Sequence, residues 1–441
     1  MTVSIKRLLK NADKPSHDAR KLHPFYRGKI EIIPKCRIRD FNDFAIWYTP
    51  GVASVCKDIQ AVPELAYQYT NKWNTIAIVT DGTRVLGLGD IGPEAGLPVM
   101  EGKSLLFKYL GGVDAVPICL GTRDQQKIID TVKILQPSFG GINLEDIEQP
   151  KCFPILKTLR KECSIPVWHD DQQGTALVTL AGLINALKIV NKKINAVRIV
   201  LVGAGSANIC FANLVMSYGA NPAHIVMVDH KGILTRERTN IQVTHPDKWA
   251  LCQVTNGEQR SGGIPEALDG ADVVIALSAP GPGIIKPEWI KKMADKAIVF
   301  ACANPVPEIW PWEASAAGAY VVATGRSDFP NQVNNSLGFP GVFRGTLDVR
   351  AQTITNEMCI AASIELAQCI KPSALKPTRI LPPMDDCDVP PRLAVAVGMK
   401  AQQQKIAGHK ISAEKIYRDA KTIIARSRAI TTTMMKKRLI K

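Results

Sequence analysis

The hydrophobic positions of the chain form short apolar runs that alternate with amphipathic stretches. In the first third of the chain, strand-like runs at residues 75–80, 115–119 and 141–143 are separated by helical patterns at residues 104–110 and 125–135. This alternation is typical of units in which a helix connects two parallel strands. It predicts a parallel sheet covered by helices.

A second alternating block begins near residue 165. Its helical pattern over residues 173–190 is followed by strand patterns at residues 198–202, 225–228, 273–277, 297–301 and 320–324. Such an order is typical of a doubly wound domain. Further on, helical patterns at residues 352–370 and 392–428 flank a proline-rich loop at residues 381–391.

These patterns predict an α/β protein with two domains, which agrees with a length of 441 residues. We place an N-terminal α/β domain at residues 1–164 and a Rossmann-type doubly wound domain at residues 165–441, whose helical tail starts at about residue 350. Residues 1–40 are basic and are interrupted by three prolines, so we expect an arm with one short helix at most.

The net charge of +15 comes from the two ends of the chain. Residues 1–39 contain 11 basic and 3 acidic side chains, and residues 370–441 contain 16 and 5, so the middle of the chain is close to neutral. Basic ends attract nucleic acids and anionic membranes, but the bases here lack interleaved aromatic side chains and a nucleic-acid fold signature. We therefore interpret them as solvated and expect neither a nucleic-acid nor a membrane partner.

The 11 cysteines are scattered, without the C-x-x-C spacing of zinc or disulfide frameworks. They are typical of reduced, mostly buried thiols, which predicts a cytoplasmic location and leaves organelle targeting by the basic arm open. The longest uncharged run, residues 199–220, contains Gly, Ser and Asn side chains. It therefore indicates a strand, a turn and a helix rather than a membrane span.

The segment IVLVGAGSANI, residues 199–209, has the pattern of a nucleotide-binding turn. Gly203 permits the tight turn after a strand, and Gly205 lets the backbone approach a pyrophosphate at a helix N-terminus. Asp229 ends the next apolar run, where a carboxylate binds ribose hydroxyls and repels a 2′-phosphate. The pattern favours NAD over NADP. Asn208 replaces the third glycine of the motif, and a glycine turn without a ligand is the alternative.

Two pairs of adjacent carboxylates each follow a short apolar run and precede a helical one. They are Glu145 with Asp146 in NLEDIEQP, and Asp170 with Asp171 in WHDDQQGTA. Both pairs should lie at the carboxyl edge of a sheet, where the ligands of α/β proteins bind. Clustered carboxylates without His or Cys suit Mg²⁺ or Mn²⁺. Helix-capping or solvated acids are the alternative, but two pairs at equivalent strand ends favour the metal.

Three further residues carry side chains that such a site can use. Tyr48 in WYTPGVA lies in a turn that can present its phenol, and Arg84 in TDGTRVLGLGD lies in a loop where a guanidinium can bind a carboxylate. Lys103 in PVMEGKSLLF lies where a glycine opens a helix. A lysine acts as a base near neutral pH when burial or a nearby cation lowers its pKa. Taken one at a time, each is more typical of an ordinary surface residue.

Together these segments resemble the malic enzyme family in its short form. The shared strings are, in order, YTPGVA, TDGTRVLGLGDIG, the GK before SLLFKYLGG, NLEDI, HDDQQGTA, GAGSAN, ANPVPE and PNQVNNSLGFPGVFRG. The resemblance extends from about residue 23 into the helical tail, so it covers nearly the whole chain. The order and spacing of these strings make the match specific.

The resemblance implies oxidative decarboxylation of L-malate to pyruvate and CO₂ with NAD or NADP, and it allows decarboxylation of oxaloacetate. It implies that Lys103 removes the proton of the malate hydroxyl and that Tyr48 protonates carbon 3. It implies that Mg²⁺ or Mn²⁺ is held by the carboxylates of Glu145, Asp146 and Asp171. Asp170 would lie behind these ligands and adjust the pKa of Lys103 and the position of the ligands.

The resemblance also assigns the remaining contacts. Arg84 would clamp a substrate carboxylate, and Asn304 and Asn334 would bind the substrate or the nicotinamide side. The residues implied in dinucleotide binding are Gly203, Gly205, Ser206, Ala207, Asp229 and Asn304. Members of the family are commonly homodimers or larger, so a homo-oligomer is expected.

Two other classes of function stay open at this point. A dehydrogenase or decarboxylase of another small hydroxy or keto acid would use the same residue types, and its cofactor dependence and products would distinguish it. A non-catalytic binder of nucleic acid or of a membrane surface would act through the basic ends, with an affinity that falls steeply with salt.

Overall fold

A computed structural model describes residues 5–326 and 328–440, with side chains from residue 14 onward. The first four residues of the predicted arm lie outside the described residues. Within them the chain forms one parallel sheet and one mostly parallel sheet, both with helices packed on them, followed by a helical tail. The predicted α/β class, with a Rossmann-type domain and a helical C-terminus, is confirmed.

The first sheet has four parallel strands in the order β2–β1–β3–β4. Its strands are β1 (Thr75–Thr80), β2 (Asp114–Cys119), β3 (Gly141–Leu144) and β4 (Val167–His169). The three strand patterns expected in this part of the sequence match β1, β2 and β3. Strand β4 pairs with β3, so the sheet continues past the boundary that the sequence placed after residue 164.

Seven helices lie in this part of the described chain. They are α1 (Ile5–Tyr26), α2 (Phe44–Trp47), α3 (Val52–Ala61), α4 (Ala66–Tyr69), α5 (Pro93–Gly111), α6 (Gln125–Leu135) and α7 (Cys152–Glu162). The expectation of a short helix in the arm is wrong, because α1 has 22 residues and contains Pro15 and Pro24. A proline inside a helix removes one backbone hydrogen bond and disfavours the preceding turn, which is why the sequence pattern favours a shorter helix.

The second sheet has six strands in the order β10–β9–β8–β5–β6–β7. Its strands are β5 (Ile199–Val202), β6 (Ile225–Asp229), β7 (Gly232–Ile233), β8 (Val273–Ala276), β9 (Ile298–Ala301) and β10 (Val321–Thr324). All neighbours are parallel except β7, which runs antiparallel to β6. The chain leaves β5 toward both edges, which is the doubly wound arrangement.

The helices of this second part and of the tail complete the fold. They are α8 (Thr175–Val190), α9 (Ser206–Tyr218), α10 (Pro246–Val254), α11 (Ile264–Leu268), α12 (Pro287–Ile290), α13 (Pro311–Ala316), α14 (Phe339–Asp348), α15 (Asn356–Gln368), α16 (Val389–Gln403) and α17 (Ala413–Lys436). The helical pattern expected over residues 392–428 is two helices, α16 and α17, rather than one.

Helix α8 lies in the core, where it packs against α9 and α15. The segment Asp170–Val190 is long and apolar enough to cross a membrane, but 83% of its apolar window is buried inside the protein, as in the core helix of a soluble domain.

The tail helices α14 and α17 pack on α5, so the tail also covers the first sheet. Phe107 of α5 lies 4.5 Å from Phe339 of α14, measured between ring centres. A single apolar core contains residues of both sheets, including Ile78 of β1 and Leu201 of β5.

Candidate active site

A cavity of about 950 Å³ lies where loops from the two sheets meet. The first part of the chain contributes Arg84, Lys103, Glu145, Asp146 and Asp171 to its wall. The second part contributes Gly205, Ser206, Ala207, Asn304 and Asn334. Most of the predicted site residues therefore surround one space. Tyr48, Asp170, Gly203 and Asp229 do not line it.

Three carboxylates form a cluster at the carboxyl edge of the first sheet. Glu145 and Asp146 follow β3, and Asp171 follows β4, which is the neighbouring strand. One oxygen from each carboxylate lies within 4.8 Å of the others. Asp146 adopts a positive φ of 54°, and its backbone N–H donates to Asp171 Oδ2 at 2.8 Å. The strand ends and this turn bring the three side chains together, as the sequence predicts.

The cluster has the properties of a site for a hard divalent ion. Glu145 and Asp146 are 5% and 3% exposed, and Oδ2 of Asp146 is buried without a hydrogen-bond partner among the described residues. Burial raises the pKa of both carboxyls well above their ordinary values, and the charge of Asp171 raises them further. A bound cation would offset this repulsion with the oxygen ligands that Mg²⁺ and Mn²⁺ prefer. The residues present therefore fit the metal.

Lys103 lies beside the cluster, on α5. Its Nζ donates to Glu145 Oε1 at 2.8 Å and to Asp170 Oδ2. It also lies 4.5 Å from the ring centre of Phe339. Burial lowers the pKa of Lys103, but the charges of Asp170 and Glu145 outweigh burial and hold it well above its usual range. Lys103 is an ammonium in this arrangement, and its proton can leave only when the negative charge around it is offset.

Asp170 is buried behind the lysine and orients it. Its Oδ1 accepts from Trp168 Nε1 at 3.1 Å, and its Oδ2 accepts from Lys103 and from Asn335 Nδ2, the latter at 2.9 Å. Residues 170–174 form a π-helical turn before α8. A side chain at Gly174 would collide with the Asp170 carboxylate. Asp170 therefore contacts Lys103 from outside the cavity.

The glycine turn after β5 is shaped for a phosphate group. Gly203 has a φ of 93°, and a Cβ there would lie 2.7 Å from Leu277 O, so this position requires glycine. Gly205, in contrast, faces open space in the cavity and precedes the N-terminus of α9. Asn208, in the place of the third glycine, is buried and donates to the carbonyls of Val202 and Gly203. Asn208 therefore stabilises the turn and does not occupy the space beside Gly205 where a phosphate would bind.

Asp229 ends β6 as predicted, but its carboxylate is already engaged. Arg238 donates to both of its oxygens, at 2.7 and 2.9 Å, and the Lys231 backbone N–H donates to Oδ1 at 2.9 Å. Lys248 Nζ lies 3.5 Å from Oδ2. Burial raises the pKa of Asp229, but the bonds from Arg238 and Lys231 outweigh it and lower the pKa. The two cations cancel the negative charge that was the reason for favouring NAD.

The two predicted amides and Arg84 differ in what their side chains do. Asn304 and the exposed side chain of Arg84 line the cavity from opposite domains. Asn334 also reaches the cavity wall, but its amide accepts from Ser336 N at 3.0 Å and donates to Gly325 O at 3.4 Å. It therefore caps a short helical turn, and its neighbour Asn335 makes the contact with Asp170.

Tyr48 lies away from the other site residues. It is 71% exposed, and it is absent from the cavity wall. Other large apolar residues in this part of the chain are also exposed. We give the name N-terminal apolar face to Ile32, Phe41, Phe44, Ile46, Trp47 and Tyr48, each between 44% and 101% exposed. Groups of exposed large apolar side chains are typical of sites that another surface covers.

Sequence reasoning missed several residues that complete the site. Asn335 orients Asp170, and Asn143 Nδ2 donates to Glu145 Oε2 at 2.8 Å. His23 and Lys29 of the arm line the cavity, and Lys29 Nζ donates to Pro98 O at 2.6 Å. The repeated NN of QVNNS was a visible signal for Asn335, whereas no local pattern distinguishes the arm residues.

Family models match both parts of the chain. Residues 27–129 match the malic enzyme N-terminal domain, and residues 172–402 match the malic enzyme NAD-binding domain. The bifunctional malic/malolactic enzyme of Bacillus subtilis is 47% identical over 399 residues, which cover 90% of this chain and 96% of the relative. The NAD-dependent malic enzyme of Geobacillus stearothermophilus is 49% identical, over 86% of this chain and 78% of the relative.

Solved structures give the same result. The malic enzyme of Entamoeba histolytica superimposes with a TM-score of 0.96 at 47% identity, over 100% of this chain and 92% of that one. The malic enzyme of Pyrococcus horikoshii superimposes with a TM-score of 0.90 at 47% identity, over 95% and 99% of the two chains. Because both domains match and the relatives align over most of their length, the chain belongs to the malic enzyme family.

Proposed function

We propose that the protein catalyses the oxidative decarboxylation of L-malate to pyruvate and CO₂, with a nicotinamide dinucleotide and Mg²⁺ or Mn²⁺. One observation carries this proposal: Lys103 contacts Glu145 of the three-carboxylate cluster in a cavity that also receives the glycine turn. A proton-transferring group, a cation site and a dinucleotide site are what the reaction requires, and here they share one space.

The polar residues of the cavity would have different roles toward the substrate. Lys103, whose Nζ is held at the cavity wall by Asp170 and Glu145, would take the proton of the carbon-2 hydroxyl after a cation on the carboxylates has let its own proton leave to solvent. Arg84 is placed to bind a substrate carboxylate through its exposed guanidinium. Asn304 lines the opposite wall and is placed to contact the substrate or the nicotinamide.

The metal would be held by Glu145, Asp146 and Asp171. When bound, it acts as a Lewis acid that stabilises negative charge on the substrate during loss of CO₂. Gly205 and the N-terminus of α9 would hold the pyrophosphate of the dinucleotide, which would supply the hydride acceptor. Decarboxylation of added oxaloacetate would use the same carboxylates and belongs to this proposal.

For the dinucleotide, we propose that the protein accepts NADP as well as NAD. The expected preference for NAD depended on repulsion between Asp229 and a 2′-phosphate. Arg238 and Lys248 neutralise that carboxylate, so the repulsion is absent. Relatives with both names exist: a Geobacillus stearothermophilus enzyme is named NAD-dependent, and a Halomonas elongata enzyme is named NADP-dependent.

We also propose a homo-oligomer in which Tyr48 serves the cavity of a second copy. Two observations support this: Tyr48 lies outside its own cavity, and the N-terminal apolar face around it is exposed. A second copy that covers this face would bury the apolar side chains and bring the phenol to a substrate. The compartment proposed is the cytoplasm, which the 11 free cysteines fit.

The first experiment follows absorbance at 340 nm with L-malate, Mn²⁺ and either NAD or NADP, with and without EDTA, and measures pyruvate at the end. We expect metal-dependent reduction with one pyruvate formed for each dinucleotide reduced. Reduction without pyruvate would identify a simple malate dehydrogenase, and activity that survives EDTA would remove the metal from the proposal. No reduction with either dinucleotide would contradict the proposed reaction.

A further inference from the structure

Two loops at the carboxyl edge of the second sheet are joined by one buried carboxylate. The β8 loop, residues 277–283, follows β8, and the β9 loop, residues 302–308, follows β9. Glu308, the last residue of the β9 loop, is 0% exposed. Its Oε1 accepts from Ser278 N at 2.8 Å and from Ser278 Oγ at 3.0 Å, and its Oε2 accepts from Ala303 N at 3.1 Å. One side chain thus holds the beginnings of both loops.

Backbone hydrogen bonds hold the loops together farther from the strands. Gly281 N donates to Val306 O, and Gly283 N donates to Glu308 O, each at 3.2 Å. The two loops therefore form one unit, attached through Glu308 to the ends of β8 and β9. Burial raises the pKa of Glu308, and the N–H groups of Ser278 and Ala303 oppose this rise. The carboxylate is thus held by oriented donors.

This pair of loops forms part of the cavity wall, to which Ser278 and Asn304 contribute, and its Leu277 and Ser278 lie against the glycine turn at Gly203. The other domain leaves the wall little freedom to move. A side chain at Gly87 would collide with Asn304 O and lie 2.8 Å from Pro280 Cγ. In a doubly wound domain the dinucleotide lies across the carboxyl edge, with one half on each side of the first glycine turn. The β8 and β9 side faces the substrate, so it receives the nicotinamide half.

We propose that Glu308 is a positioning residue for the nicotinamide half of the dinucleotide, because it sets where Ser278 and Asn304 meet the cofactor. This inference rests on the proposed function. Neither residue can shift alone, since the Glu308 carboxylate joins the loops that carry them. Glutamine has nearly the same shape, but its NH₂ group would face the N–H of Ser278 or Ala303, donor against donor. One of the two loops would lose its anchor.

The test compares Glu308→Gln with Glu313→Gln as a matched control. Glu313, on α13, makes a comparable bond to Trp310 N at 3.3 Å but does not line the cavity. We would measure dissociation constants for NADH and NADPH by fluorescence without malate or metal, Mn²⁺ affinity, and the melting temperature. For Glu308→Gln we expect the dissociation constant of the dinucleotide to rise about tenfold or more, with unchanged Mn²⁺ affinity. Glu313→Gln should stay within about twofold of the parent.

An unchanged dinucleotide affinity in folded Glu308→Gln would overturn the proposal. An equal loss of Mn²⁺ and dinucleotide affinity would also overturn it, because it would show a general structural role. If Glu308→Gln does not fold, Ser278→Ala removes one of the three bonds and should weaken dinucleotide binding by about two- to fivefold; no change there would overturn the proposal. A parent protein that binds neither NADH nor NADPH would contradict the proposed function itself.

Discussion

The carboxylate cluster and the N-terminal apolar face serve the same proposed reaction, but the protein builds them in opposite ways. Glu145 and Asp146 follow a buried strand and are almost inaccessible, whereas Tyr48 is 71% exposed. The cluster is complete within one chain, because neighbouring parallel strands end at the same edge. The segment around Tyr48 has no such frame. The end of β3 is enough to position Glu145 and Asp146. The position of Tyr48 also depends on the surface that covers the N-terminal apolar face.

The largest effect should follow from Lys103→Ala, which tests the carboxylate cluster together with the lysine beside it. We expect kcat for malate to fall by about 10³-fold or more, because general acid–base catalysis is lost. Dinucleotide binding, measured by fluorescence, should stay nearly intact. Lys108→Ala is the matched control, since Lys108 lies on the same helix as Lys103, pairs with Asp114 of β2 and does not line the cavity. Loss of both turnover and dinucleotide binding would mean that Lys103 is structural.

Tyr48→Phe tests the other side of the comparison and should lower kcat by about 10²-fold or more. Mixing this variant with Lys103→Ala gives the sharper result. In a mixed dimer, a Tyr48 that serves the second copy leaves one of the two sites with both residues intact. The mixture should therefore recover roughly a quarter of the parent activity after subunit exchange. If the mixture stays as inactive as its components, Tyr48 does not act in the second copy's cavity.

Phe41→Ala should weaken the oligomer, because Phe41 is 90% exposed on the N-terminal apolar face. We expect the dissociation constant of the oligomer, measured by sedimentation, to rise about tenfold, with little change in the stability of the single chain. Ile134→Ala is the control, since Ile134 is 77% exposed on α6. Equal effects of the two substitutions would indicate that this face is not the interface.

The smallest effect concerns the dinucleotide domain. Asp229→Ala would release Arg238 and Lys248, and their positive charge favours a 2′-phosphate. The ratio of kcat/KM for NADP to that for NAD should rise by up to about tenfold. Glu258→Ala breaks a comparable ion pair with Arg198 in the same domain and should leave the ratio unchanged. A ratio that does not move in Asp229→Ala would show that this carboxylate plays no part in the choice of cofactor.

The features that the sequence predicted well are those determined by nearby residues. The apolar run of β1 and the glycine turn after β5 carry their own periodicity and turn chemistry, and Glu145 with Asp146 follow directly from the end of β3. Helix α5 begins at Pro93, 11 residues before the expected start, because Gly96, Pro98 and Gly102 interrupt its helical pattern.

The features that could not be predicted depend on contacts between distant residues. The break between α16 and α17 is fixed by an antiparallel bridge from Ala407 to Ala351. The charge of the Asp229 carboxylate is neutralised by Arg238 and Lys248, and the fold is needed to bring these two cations to it. Likewise, the repeated NN marks both Asn334 and Asn335 in the sequence, but only the turn geometry shows that Asn335 is the one that contacts Asp170.

The π-helical turn at residues 170–174 makes the site depend on the length of the chain as well as on its chemistry. A π-helical turn is an α-helical turn that accommodates one additional residue. Removing one residue would let the turn close as an α-helix and leave α8 whole, but it would rotate the preceding residues by about 100° around the helix axis. Asp170 and Asp171 would then leave Lys103 and the cluster. We therefore expect the proposed activity to be lost on deletion of Gly174, which removes none of the polar side chains of the site.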